Sequence, residues 1–398
     1  MPSVAFARSV AANLAYWLAF SQKMGEESLQ EIDQERHNLW RAVRFGLDLE
    51  ATRCAAAKLI LQVYNLIERR GYWQRWIPLL EKAVDSCKVE DETLQVQLLD
   101  RLGQCYRLSR QWDKSLQRHR QEAELAQRLE DGLRLAKAHL NLSQTLWSLR
   151  RYDEAEAYGE RSLAGFEETG GDAERLGGAL SMLGLIALGR GKLETAESWL
   201  TKASDTYRAA NHTAFLARTL MNLTITLERA GRFEAALAVG SEAWAVLEPT
   251  EYELDKARLQ LTLGTLYMQM QEWQKAEKAY RRADSPALRR SGDAYLMALA
   301  ANNLGSVLMQ QGRLEESHCS LTRSIELARQ SGGRLMLANS LGSMAETKLA
   351  MNSVEETLPY LEEAIAIAAE YPDDGWGRQL LETYTGMREK LKQVSGEG

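Results

Sequence analysis

Eight short turn segments recur along this chain at almost constant spacing, and that recurrence restricts the fold more than any other feature. They begin with Gly71-Tyr72-Trp73, Arg110-Gln111-Trp112, Arg150-Arg151-Tyr152 and Gly191-Lys192-Leu193. They continue with Gly231-Arg232-Phe233, Gln271-Glu272-Trp273, Gly312-Arg313-Leu314 and Asn352-Ser353-Val354. Successive first residues, here called anchors, are 39, 40, 41, 40, 40, 41 and 40 apart. Such regular self-similarity marks a chain built from repeated supersecondary units rather than from several compact domains.

The same frame carries further signals. Seven residues before each of the last seven anchors lies a small residue: Gly103, Ser143, Gly184, Thr224, Gly264, Gly305 or Ala345. Leu102, Leu142, Leu183, Leu223, Leu263, Leu304 and Met344 precede them. Five after the anchor come Ala155, Ala196, Ala236 and Ala276, with Ser115, Ser317 and Thr357 elsewhere; twelve after come Ala83, Ala203, Ala243, Ala283 and Ala364. The pattern predicts two helices per unit joined by a tight turn, with small residues where the helices approach. Each unit leaves an apolar face that only its neighbour covers.

Composition agrees. Six prolines in 398 residues leave few obligatory helix stops. Pro249, Pro286 and Pro372 fall between units, and Pro78 and Pro359 are expected near the start of a second helix, where a missing N–H is tolerated. A net charge of −6 with both signs interspersed lacks the basic footprint of a nucleic-acid binder. The most basic stretch, Arg101 to Arg128, reads as a solvated helix face. Cys54, Cys87, Cys105 and Cys319 show no C-x-x-C spacing and are expected to be buried free thiols of a reducing, cytoplasmic compartment. Val4–Ser21 is apolar, but Arg8 interrupts it and no small-residue cleavage site precedes Gln22-Lys23, so an N-terminal packing helix is expected. No other segment approaches the length of a membrane span.

Over roughly Ala51 to Glu370 the sequence resembles the tetratricopeptide-repeat family. Leu102-Gly103-x2-Tyr106 and Leu263-Gly264-x2-Tyr267 match its first-helix signature, and Ala276-x3-Tyr280 its second. The 40-residue unit implies helices longer than those of the usual 34-residue repeat. The expected fold is all-α: a right-handed α-solenoid of eight helix pairs over 51–372, with an N-terminal helical cap over 1–50. A capping helix, Trp376–Gln393, and a polar tail complete 373–398. Arg110, Arg150 and Gln271 stand where a left-handed turn suits Gly, so either those turns differ or the repeats absorb strain. Tyr64 replaces the small residue in the first repeat.

Glu35-x2-Asn38-Leu39-x2-Ala42, leading into Gly71-Tyr72-Trp73, resembles the linker before the C-terminal repeats of bacterial STAND signalling ATPases, in which an ATPase module precedes a sensing arm. No G-x4-G-K-[ST] loop occurs, since Gly191-Lys192 is followed by Leu193. His37, His119, His139, His212 and His318 form no H-E-x-x-H motif. His119 and His139 read as structural. No enzymatic role, cofactor or metal is expected.

In this family the first helices line a concave groove. Carried over by frame position, groove residues include Lys137, Leu140, Asn141, Gln144, Trp147 and Ser148 in the third repeat. The fifth adds Arg218, Met221, Asn222 and Ile225; the sixth Arg258, Thr262 and Met268; the seventh Asn302, Asn303 and Met309. Asn141, Asn222 and Asn303 share one position in alternate repeats, and amides that both donate and accept can clamp an extended peptide backbone. The alternative is a solvated polar row. Met182, Met221, Met268 and Met309 form either an adaptable lining or core. Arg218 and Arg258 suit an acidic or C-terminal group, or pair on the surface. The expected function is a non-enzymatic array binding a protein or peptide segment, with no nucleic acid or membrane partner. The alternatives are the sensor arm of a STAND-type regulator and an enzyme with a cryptic site.

Overall fold

Ala- and Leu-rich sequence with so few prolines runs on as helix until a residue can reverse the chain. The computed structural model describes residues 3–23, 29–70, 72–86, 91–372 and 374–395; Gly71, Cys87, Pro2 and the last residues of the expected tail lie outside them. Among the described residues there are twenty-two α-helices, one short 3-10 helix (Glu50–Thr52) and no strand. They fall into two compact units, Met1–Asn211 and His212–Gly398.

In the first unit, α1 (Val4–Lys23), α2 (Leu29–Gln34) and α3 (Arg36–Leu47) precede the frame. The repeats then run α4 (Arg53–Gln62), α5 (Tyr64–Arg70), α6 (Trp73–Ser86), α7 (Glu92–Leu108), α8 (Trp112–Arg128), α9 (Gly132–Ser148), α10 (Tyr152–Glu168), α11 (Ala173–Gly189) and α12 (Leu193–Ala209). Each helix packs on the next, and α7, α9 and α11 also touch in succession, so the first helices form a layer of their own. The second unit repeats this with α13 (Thr213–Arg229), α14 (Phe233–Leu247), α15 (Glu253–Gln269), α16 (Trp273–Ala283) and α17 (Pro286–Ser291). It ends with α18 (Ala294–Gln310), α19 (Leu314–Ser331), α20 (Arg334–Ala350), α21 (Val354–Ala369) and α22 (Gly375–Ser395). Here the first-helix layer is α13, α15, α18 and α20, closed by α22 in the place of a further first helix.

Each of the last seven anchors ends a first helix with a left-handed residue, φ lying between 58° and 75°. The next residue donates its N–H five positions back, as Gln111 does to Tyr106 (2.8 Å) and Arg151 to Leu146 (2.9 Å). This is the Schellman arrangement, and it satisfies carbonyls the helix end would leave bare. Arg110, Arg150 and Gln271 adopt it although each carries a Cβ, so the repeats absorb strain of roughly 1–2 kcal/mol per site. Arg150→Gly is expected to leave Tm unchanged or slightly raised, the relief being partly offset by a freer unfolded chain. A fall of more than about 2 °C in a thermal melt would contradict this.

Helix approach within a repeat follows a rule of complementary size. The small residue seven before the anchor faces the residue nine after it. An added Cβ on Gly184 or Gly305 would stand 2.6 Å from Leu200 or Leu321, and one on Gly264 would stand 2.5 Å from the Tyr280 ring. Where the first member is Ser143 or Thr224, the second is Gly159 or Gly240. In the first repeat both members, Tyr64 and Leu80, are large, and its first helix is not continuous as expected: it breaks at Val63 into α4 and α5.

Other expectations need correcting. Pro286 does not simply end a unit but opens the extra helix α17 at its first position, with Ser285 capping Leu288 N–H. Pro78 and Pro359 are interior to α6 and α21, which begin at Trp73 and Val354, so they fall in the second turn. Cys319 is exposed and Cys54 half-buried; Cys105 alone of the three described cysteines is buried, and burial pushes its thiol up to about 12.

Candidate functional site

On the first-helix face of unit 1 the groove positions converge on buried charge. Asp100 of α7 and Glu122 of α8 are buried, and Asn141 of α9, 3% exposed, stands between them. Its Nδ2 donates to Asp100 Oδ1 at 2.9 Å and to Glu122 Oε2 at 3.3 Å. Lys137, one turn earlier on α9, donates to Asp100 Oδ2 at 2.6 Å, and Gln104 donates to Oδ1 at 2.7 Å. Arg101 completes the group, its Nε 3.7 Å from Asp100 Oδ2 and its guanidinium over the Tyr64 ring. His119, wholly buried, places Nδ1 2.8 Å from Glu122 Oε2.

Burial alone would raise both carboxyls. Lys137 and Arg101 bring Asp100 below the usual carboxylate range. Burial and then the Asp100 charge hold Glu122 above it, against the pull of His119 and Lys137. Asn141 is thus not an open rung: its amide donor is committed inward. Gln144 and Trp147 remain partly open, and the Trp147 indole N–H reaches across to the Leu185 carbonyl of α11 at 3.2 Å.

On the first-helix face of unit 2, Asn222, Asn303, Met268 and Met309 are partly open, whereas Met221 and Asn302 are buried. Met221, like Met182 in unit 1, is core rather than lining. Asn302 donates to Asn303 Oδ1 at 3.4 Å while its own Oδ1 is buried without a partner. Arg218 and Arg258 do converge, but on a carboxylate of the chain itself. Asp255, buried on α15, lies 3.1 Å from Arg218 Nη2 and 3.6 Å from Arg258 Nη1. The two arginine side chains are 52% and 42% exposed, so the trio presents net positive charge outward. Half-buried Glu228 and Glu346, both raised by burial, occupy groove positions of the fifth and eighth repeats.

Asp100, Glu122 and Asp255 were not among the expected site residues. Glu122 carried a signal, because it stands twelve after its anchor, where other repeats place Ala or Ser. Asp100 carried one as well, standing ten before its anchor as Leu140 and Met221 do, whereas Asp255 stands outside the groove positions and carried none.

The STAND-like linker segment is ordered on α3. Leu39 and Ala42 are buried, Asn38 donates to Glu35 Oε2 at 2.6 Å, and Trp40 lies beneath the guanidiniums of Arg44 and Arg75. Among the described residues no helix is long and apolar enough to cross a membrane.

No curated protein matches the chain by sequence. Several solved structures match its fold. A Rap protein complexed with Competence and Sporulation Factor shares 13% identity at a TM-score of 0.62, covering 91% of this chain and 98% of that one. A STAND protein with a tetratricopeptide repeat sensor from Pyrococcus horikoshii shares 15% at a TM-score of 0.58. The match covers 92% of this chain but 56% of that protein. Aspartyl phosphate phosphatase F from Bacillus subtilis shares 13% at a TM-score of 0.57, covering 95% and 97%. The tetratricopeptide repeat family model matches residues 92–168 and 296–370. Those two stretches lie in the same helix-pair frame as the rest of the array, and the chain carries tetratricopeptide repeats over them.

Proposed function

We propose that this protein is a recognition array that binds a peptide or protein segment on its first-helix faces. The observation that carries this reading is the face of unit 2. Asn222 and Asn303 share one frame position and are partly open, Asn303 also accepting from Asn302, Met268 and Met309 stay partly open as well, and Arg218 and Arg258 stand over Asp255. Hydrogen-bonding, adaptable and cationic groups are thereby held on rigid helices, as peptide recognition requires. The fold likeness to a Rap protein complexed with a named factor supports the same class of function.

The test uses the purified full chain against a displayed random-peptide library. Enriched peptides are expected to bind the wild type and to lose at least about tenfold in affinity, roughly 1.4 kcal/mol, in the Asn222→Ala variant, with unchanged melting. No enrichment, or equal affinity in the variant, overturns the reading. Asn141 is unsuited to this test, because truncating a buried hydrogen-bonded amide mixes stability with binding.

A second reading is favoured by the STAND-like linker and by the 56% coverage of the Pyrococcus horikoshii protein: the chain is the sensor arm of such a regulator. Reading the gene upstream for a P-loop in the same frame tests it.

A further inference from the structure

In seven of the eight repeats the residue nine after the anchor is Leu, Gly or Tyr, and the residue twelve after it is Ala or Ser; the second repeat places His119 and Glu122 there instead. Burying an ionisable pair where neighbours pack hydrocarbon costs stability, so the exception asks for a role. The geometry supplies one. His119 lies against Gly103, where any Cβ would collide with the imidazole, and its Nδ1 faces Glu122. Glu122 accepts from Asn141, a groove position, and Asn141 joins it to Asp100, over which Lys137 and Arg101 stand partly exposed.

The protonation chemistry is constrained. The Nδ1···Oε2 contact holds one proton whichever atom owns it. The other exchangeable proton is on Nε2, which is buried and has no hydrogen-bond partner among the described residues. With Nε2 protonated the pair is neutral overall; without it the pair carries one negative charge. The charged groups facing it are Asp100 and Arg101 from α7 and Lys137 from α9. Summed with them, the cluster is +1 in the first state and 0 in the second.

We propose that His119 and Glu122 are a positioning pair whose second proton sets both the hold on the Asn141 amide and the net charge presented by Lys137 and Arg101 on the first-helix face of unit 1. With Nε2 bare the imidazole is neutral and keeps the shared proton on Nδ1, so Glu122 is a full carboxylate acting with Asp100, the Asn141 NH2 is drawn inward and Lys137 is neutralised across the cluster. Gain of it frees one cationic charge for an incoming group. Recognition at this face is therefore linked to proton uptake. The regulation rests on the recognition role proposed above, but its test uses no ligand, so the two fail separately.

The experiment is a pH titration of the full chain by NMR, following the Asn141 side-chain NH2, assigned with Asn141→Ala, and the His119 ring, assigned with His119→Leu. Both are expected to shift together through one common step as pH is varied. The Asn141 step is expected to vanish in Glu122→Gln and in the His119→Leu, Glu122→Ala variant, which installs the residues other repeats use and so keeps a folded control. A purely structural pair would leave Asn141 flat. A flat Asn141 response, a step not shared with His119, or a step that survives in the double variant overturns the proposal.

Discussion

The variant carrying both His119→Leu and Glu122→Ala should be more stable than the wild type, by about 1–4 kcal/mol, although each single substitution should destabilise. Removing Glu122 alone leaves a buried imidazole with neither nitrogen paired. Removing His119 alone leaves a buried carboxyl beside Asp100 without its partner. Each should cost about 3–5 kcal/mol, the usual consequence of breaking one half of a buried pair. The double change removes both desolvation penalties, and the fold shows that the new residues fit. Leu200 covers Gly184 and Leu321 covers Gly305 as His119 covers Gly103, while Ala83, Ala203, Ala243, Ala283 and Ala364 occupy the position of Glu122.

A pH signature accompanies this. Glu122 is raised in the fold, so its contribution is most favourable below the unfolded carboxylate value and is lost as pH rises through the folded one. Asp100 is lowered, so its contribution is present above the unfolded value and is lost as pH falls through the folded one. The double variant should retain only the Asp100 dependence. Denaturant midpoints at several pH values measure both effects. A double variant less stable than the wild type would show that the pair contributes net stability, and function would then not be needed to explain its presence.

The repeat frame was fully legible because tight turns and close helix approaches demand particular residue sizes locally. Gly191, Gly231 and Gly312 announced left-handed turns, and regular spacing extended that reading to Arg110, Arg150 and Gln271, where the residue type argued against it. The break at Val63 was half legible: Tyr64 was visibly out of pattern, but its consequence depended on Leu80 opposite. The site was less legible because burial is a property of pairs. Arg218 and Arg258 were identified, yet Asp255 between them belongs to no groove position. Asn141 was identified, yet its inward commitment depends on Asp100, 41 positions earlier. Met221 and Met268 share the same chemistry and both stand at groove positions, ten and three before their anchors, and only packing separates the buried one from the partly open one.

The size rule between helices predicts a second large effect, a rescue. Leu321→Gly should cost about 3–6 kcal/mol, from the cavity left under a wholly buried leucine and from glycine inside a helix. Gly305→Thr alone should cost about 1–3 kcal/mol, because the added atoms enter the space of Leu321. Combined, they recreate the Thr224/Gly240 arrangement two repeats earlier, in which Thr224 Oγ1 back-bonds the Leu220 carbonyl at 2.9 Å. There the space over the second helix is filled by Leu263 of the following first helix, 2.7 Å from where a Gly240 Cβ would lie. Met344 holds the same frame position on α20, is buried, and as an unbranched thioether can extend into the space Leu321 vacates. The double variant should therefore be more stable than Leu321→Gly alone, with a coupling of at least about 2 kcal/mol. Because repeats unfold locally, hydrogen exchange of α18 and α19 amides is the appropriate measure. Additive losses would mean that the alternation of large and small partners is incidental; coupling would establish it as the rule by which neighbouring helices select each other's residues.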